Sequence, residues 1–217
     1  MEGSNWNSDY LAYMWKRHAG FDVANYYGNN EDGRSIPHNL GQSPQMLWIK
    51  DTTSAYDWMV WHEGLSSGKH MILNTQAAET NSNTPGLGTV SADYFEIGSY
   101  VAVNQNSHEY VAYLFSSVPG ISKVGSYVGT GSAQTITFGF QPRWLLTKST
   151  TNGSYEWYVN DTTRGWGSGG DQYYMLNSTT QSQSSDFGTP TSTGWTIDPS
   201  HQHLNESGVT FIYYAHA

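Results

Sequence analysis

The side chains able to do chemistry are few in this chain of 217 residues, and they are scattered. Cysteine is absent, which removes disulfides, thiolate nucleophiles and zinc–cysteine sites together. Gly64-Leu65-Ser66-Ser67-Gly68 has the G-x-S-x-G spacing of a nucleophile elbow. An elbow needs a buried strand before its serine and a helix after it. Here a Lys-His-Met strand follows, so the segment reads as a loop. Paired carboxylates would suggest glycoside hydrolysis, which needs two carboxyls ~5–9.5 Å apart across a sugar. Asp57 and Glu63 share a strand face but lie about 20 Å apart along it. Glu31-Asp32 falls in an Asn/Gly turn, and Asp161 and Asp171 flank a glycine loop. No spacing unites any two of these carboxylates, so no catalytic residue is assigned and the chain reads as a non-enzyme.

Asn29-Asn30-Glu31-Asp32-Gly33 offers the hard oxygen ligands that calcium takes. It lacks EF-hand spacing, and Asx-rich turns usually satisfy their own backbone. His201 and His203 would share one face of a strand as a metal pair, without a third ligand in view. The expectation is no metal and no cofactor, with these histidines at a surface or subunit contact. The most distinctive local run is Arg164-Gly165-Trp166-Gly167-Ser168-Gly169-Gly170-Asp171-Gln172-Tyr173-Tyr174. An exposed ring between Arg and Asp suits sugar stacking, because rings cover the apolar faces of pyranoses while polar neighbours take the hydroxyls. Trp166, Asp171, Tyr173 and Arg164 are therefore candidate ligand-binding residues. Trp61 joins them from the more open face of its own strand. The competing reading packs Trp166 beneath its loop or into a neighbouring subunit.

The elements that would position these residues are short strands. Sixteen Tyr, nine Trp and 23 Gly accompany only 12% charged residues, a composition of aromatic strands joined by turns. A net charge of −9 and the absence of any basic cluster beyond Lys16-Arg17-His18 argue against nucleic acid. The longest apolar runs are about six residues, far short of a helical membrane span. Met1 to Asn5 carries no basic or apolar stretch, so no signal peptide is expected.

The chain repeats itself. Tyr10-Leu11-Ala12-Tyr13-Met14-Trp15 recurs as Tyr110-Val111-Ala112-Tyr113-Leu114-Phe115, and more loosely as Phe211-Ile212-Tyr213-Tyr214-Ala215-His216. Tyr27 falls with Tyr127, Pro44 with Pro142, Lys50 with Lys148, and Trp58 with Trp157. Phe95 falls with Trp195, Asn104 with Asn205, and Leu73-Asn74 with Leu176-Asn177. Collinear offsets of 98 to 103 mark a duplication. The phase implies a closing strand and linker of a preceding repeat over 1–20, then repeats over 21–120 and 121–217. An orphan strand at 10–15 would need a partner, in the first repeat or in a neighbouring chain.

Helical periodicity is absent except for a possible turn near residues 75–79. Alternation puts Trp58, Val60 and His62 on one face and Asp57, Met59, Trp61 and Glu63 on the other. Trp157 and Val159 repeat the first face, so that face is expected inside and the other more open. The expected fold is all-β, two tandem antiparallel β-sandwiches of jelly-roll or lectin-like type, with one merged sandwich as the alternative.

The Tyr-x-Gly opening, Gly41-Gln42-Ser43-Pro44-Gln45-Met46-Leu47-Trp48-Ile49-Lys50, the Trp-bearing strand and the Asn…Tyr-Val-Ala-Tyr close resemble a module of tail-fibre and other virion proteins of marine bacteriophages, cyanophages included. The second copy matches at residues 139–148, 161–165 and 212–215, and 15–20 looks like an inter-module linker. His62-Glu63-Gly64-Leu65 departs from the Asp-Ser/Thr-x-Arg-Gly segment of that pattern. The resemblance implies a virion location at the particle surface and a structural, host-adhesive role towards a surface glycan. It also implies virion subunits as partners and a homo-oligomer, as a trimer or fibre. A self-assembling spacer, filament or decoration protein and a polysaccharide depolymerase are the alternatives.

Overall fold

A computed structural model describes residues 13–81, 87–167, 169–180, 183–199 and 201–217. In the first repeat the strands are β1 (Phe21–Tyr27), β2 (Arg34–Pro37), β3 (Met46–Asp51), β4 (Met59–His62), β5 (Lys69–Ile72), β6 (Thr80–Asn81), β7 (Leu87–Val90) and β8 (Tyr94–Ile97). A helical turn, α1 (Val101–Asn104), then leads into β9 (Glu109–Phe115). The second repeat runs β10 (Ser122–Val128), β11 (Gln134–Thr137), β12 (Trp144–Ser149), β13 (Tyr158–Asp161), β14 (Asp171–Met175), β15 (Gln183–Ser185), β16 (Thr189–Thr191) and β17 (Gly194–Ile197). Its own helical turn, α2 (Gln202–Asn205), precedes β18 (Thr210–His216).

Each repeat is an antiparallel β-sandwich. A six-stranded sheet, ordered β1-β9-β3-β4-β5-β6 or β10-β18-β12-β13-β14-β15, faces a three-stranded one, β2-β8-β7 or β11-β17-β16. The last strand lies between the first and third, and the penultimate strand pairs with the second, which is the concentric wrap of a jelly roll. Leu47, Ile49, Met59, Phe95, Tyr110 and Leu114 belong to the first core. Leu145, Tyr158, Phe187, Trp195, Leu204 and Phe211 belong to the second.

A third core joins the two six-stranded sheets face to face. Met46, Trp48, Val60 and Phe115 from one meet Trp144, Leu146, Trp157, Val159, Ile212 and Tyr214 from the other. Phe115 and Tyr214 stand 5.0 Å apart between ring centroids, and the Trp157 indole donates to the Ile72 carbonyl at 3.0 Å. The stack is therefore four layers deep, and the central strands β3, β12 and β13 of its two middle sheets are covered on both faces. The shared Trp-x-Val face is buried as expected, but in the seam, and the face expected to be more open is largely buried as well. Trp58, Val60, Trp157 and Val159 face the other repeat, while Met59 and Tyr158, 5% and 4% exposed, face their own sandwich. A sheet covered on both sides buries alternate residues in two different cores. Each large side chain contributes ~1.5–3 kcal/mol of gross burial, so the seam is a substantial source of stability.

Two positional expectations change. The helical turns fall at α1 and α2, whereas 75–79 has no helix. Residues 10–12 of the expected orphan strand lie outside the described residues, and 13–15 form no strand. Trp15 instead packs on the seam, 5.7 Å from Trp144 and 6.0 Å from Phe115 between ring centroids.

The repeat partner of Tyr127 is Tyr26, not Tyr27. Tyr26 Oη donates to the Val103 carbonyl at 2.8 Å and Tyr127 Oη to that of Leu204 at 2.7 Å, whereas Tyr27 is 61% exposed. The following Gly28 and Gly129 are required by crowding. A Cβ would stand 2.0 Å from the Gln105 carbonyl oxygen in one repeat and 2.2 Å from that of Glu206 in the other.

Candidate functional site

The glycine loop between β13 and β14 folds inward. Trp166 is 2% exposed, its Nε1 donates to the Gly188 carbonyl at 2.9 Å, and its ring meets Trp195 edge-on at 6.2 Å. The expected exposed stacking ring is thus a core residue, because the loop is pinned from within. The fully buried Asp171 carboxylate accepts the Gly167 N–H at 2.7 Å and the Phe187 N–H at 2.9 Å. Burial pushes the Asp171 carboxyl above its ordinary range, and those two donors pull against it. Half-buried Tyr173 packs edge-on against Phe187 at 4.3 Å. Arg164 lies apart from these three, its guanidinium 5.6 Å from the ring centre of Tyr174. Four of the five candidates therefore serve the packing of the second repeat. Arg164 and Trp61 each line a cleft, Arg164 one beside the seam and Trp61 one in the first sandwich.

The other motifs resolve simply. His201 and His203 are not on a strand, since they flank and enter α2. His201 stacks on Phe187 at 4.9 Å and His203 on Tyr158 at 5.8 Å. Burial pushes the His203 imidazole below its ordinary value. The 29–33 turn is held by Asn29 Oδ1, which accepts the Glu31 N–H at 3.0 Å, and by the Asn104 side chain, which donates to the Glu31 carbonyl. Among the described residues no three His, Asp or Glu side chains cluster as metal ligands would. Asp57 accepts from Asn74 and Glu63 from Gln45, each in its own local bond. The Gly64–Gly68 segment is a turn followed by β5, without a helix.

A cleft of about 440 Å³ opens at one end of the first sandwich. Ile49 and Met59 line it from β3 and β4, Leu65 and Leu87 from beside it, and Trp61 and His70 from the adjacent strands β4 and β5. The pairing of Met59 with Ile72 and Val60 with Met71 carries on to set His70 opposite Trp61. Glu63, Ser66, Ser67 and Lys69 supply the polar part of its lining. Trp61 is half-buried against the core, so part of its ring stays accessible.

The second sandwich shows why the first is open there. Val159 and Tyr174 take the places of Val60 and Met71, so the loop between them is longer than its counterpart. That extra length carries Trp166 into the space. Asn160 and Tyr173 stand where Trp61 and His70 stand, and Trp166 and Phe187, 2% and 1% exposed, fill the gap. Sequence reasoning found Trp61 but missed His70, Leu65 and Leu87. The shorter loop of the first repeat was the available signal, visible only when the copies are superposed.

With the fold and cleft defined, residues 5–217 match the family DUF7483, a domain of unknown function, and the chain belongs to that family. No curated protein and no solved structure matches the chain.

Proposed function

We propose that this chain is a non-catalytic building block of a virion appendage, displayed at the particle surface, that contributes to host adhesion by binding a surface glycan. The observation that carries this reading is the contrast between the repeats: the same position is packed shut in one sandwich and is an aromatic-lined cleft in the other. The seam supports the structural half of the reading, because a block with three cores gives a rigid mount for a binding site. The likeness of the repeat pattern to phage tail-fibre modules supports the setting. A small cleft provides weak affinity, and assembly of several chains into an oligomer would multiply it.

The test is a glycan array probed with the full chain displayed on multivalent beads. Retention on a restricted set of glycans, reduced at least tenfold by Trp61→Ala, is expected. A blank array together with a blank host-cell pull-down would overturn the adhesive role.

A further inference from the structure

We propose that the cleft of the first sandwich is a subsite for a short neutral saccharide, with Trp61 as the surface for the apolar face of a pyranose and His70 Nε2–H as the donor to a ring or hydroxyl oxygen. This deepens the adhesive reading and rests on it for the class of ligand.

The His70 imidazole is unusual in having no assigned work. It is 8% exposed, its Nδ1 is buried without a hydrogen-bond partner, and its ring lies 6.1 Å from that of Tyr100. A neutral imidazole carries one N–H and one lone pair. Burying an N–H without an acceptor is the rarer and costlier arrangement, so the proton belongs on Nε2 and the lone pair faces the wall. Burial also pushes this imidazole below its ordinary value, which keeps it neutral near pH 7. The imidazole thus offers a donor and calls for an acceptor oxygen.

The remaining lining narrows the ligand. The base and sides are apolar, from Ile49, Met59, Leu65 and Leu87, and the half-buried Trp61 adds an aromatic surface. Glu63 and Lys69 bring one charge of each sign, so the cleft holds no net charge to select an acid or a base. A pyranose has the matching chemistry: one C–H-rich face for the indole and oxygens at its edge. At about 440 Å³ the cleft sits towards the small end of ligand cavities, ~300–1,000 Å³, and fits a short saccharide better than a long chain segment.

The experiment is NMR and tryptophan-fluorescence titration of the full chain with methyl glucosides, galactosides and mannosides, N-acetylglucosamine and glucuronic acid. One or more neutral sugars are expected to shift the His70 imidazole signals saturably, with glucuronic acid weaker. His70→Phe keeps the ring and removes the nitrogen, and should weaken binding about tenfold. Leu87→Trp imitates the filled second sandwich and should abolish it, while Trp166→Phe should leave it unchanged. Near-UV circular dichroism checks that each variant is folded, and His70→Gln replaces any variant that is not. Absence of a saturable shift with every sugar, or binding indifferent to all cleft variants, overturns the assignment. If the cleft is silent while multivalent beads still hold host cells, only this subsite falls. If both are silent, the adhesive reading falls with it.

Discussion

His62 shows how one residue can serve two repeats. It occupies the place of Asp161, and both use their side chain to accept the N–H of a residue two further on. Asp161 thereby caps the 3-10 turn at Thr162–Arg164. His62 does more: its Nε2–H donates to the Tyr213 carbonyl of the second sandwich at 3.3 Å, while Nδ1 accepts from Gly64 at 2.9 Å. The bond accepted at Nδ1 needs the neutral ring. Burial accordingly pushes its pKa down to about 4 from 6.5, against the pull of the Tyr213 carbonyl. The folded protein thus binds this proton less readily than the unfolded chain. The resulting stabilisation is complete above pH 6.5 and fades as pH falls towards 4. It amounts to about 3 kcal/mol, from ~1.4 kcal/mol per pKa unit. Urea unfolding at pH 7 and pH 4 should show the wild type losing about that much more than His62→Gln. Equal losses would remove His62 from the account. Asp161→Ala should cost ~1 kcal/mol at pH 7 in the same assay, the usual cost of a lost cap.

Among the elements, the closing helical turns carry the repeat's signature. Asn104 and Asn205 are almost fully buried, and each ties the turn before its last strand to the loop after its first. Asn205 accepts the Thr130 N–H at 2.9 Å and donates to the Ser132 carbonyl at 2.7 Å. Asn104 likewise accepts the Asn29 N–H at 3.0 Å and donates to the Glu31 carbonyl at 2.7 Å. Asn205→Ala should destabilise by roughly 2–4 kcal/mol, since it strands buried backbone groups. Thermal or denaturant unfolding measures it. A change below about 0.5 kcal/mol, typical of unremarkable surface sites, would contradict this role.

These landmarks were legible in the amino-acid sequence, because Asn, Gly and Tyr at fixed spacing mark backbone contacts that few other residues satisfy. Asn74 and Asn177 behave likewise, accepting the N–H of Trp58 and Trp157. Trp166 was misread because a glycine-rich loop looks polar whichever way its one ring turns. The cleft was illegible for a related reason: it is a gap between sheets left by a shorter loop, and local pattern does not record a gap. The one-residue slip at Tyr27 arose because two adjacent tyrosines fit the spacing equally well, and only burial tells them apart.

At the scale of the whole molecule, the seam decides the behaviour. The near-continuous burial of Trp144-Leu145-Leu146-Thr147-Lys148-Ser149 is what a sheet covered on both faces requires. Even Lys148 is enclosed, its ammonium pushed down to about 8 by burial and donating to the Gln76 carbonyl of the first repeat at 2.8 Å. The two sandwiches should therefore unfold together. Far-UV and tryptophan signals are expected to coincide in one transition, and Trp157→Ala should lower its stability by ~3–5 kcal/mol without splitting it. Two separated transitions in the wild type would mean that the seam does not couple the repeats.

The function proposed for this rigid block depends on the cleft of its first sandwich. The most direct test is retention of host cells by beads bearing the wild-type chain or its Leu87→Trp variant. The account predicts capture by the wild type and its loss when the cleft is filled, with folding and oligomeric state unchanged. Equal capture by both proteins would contradict it.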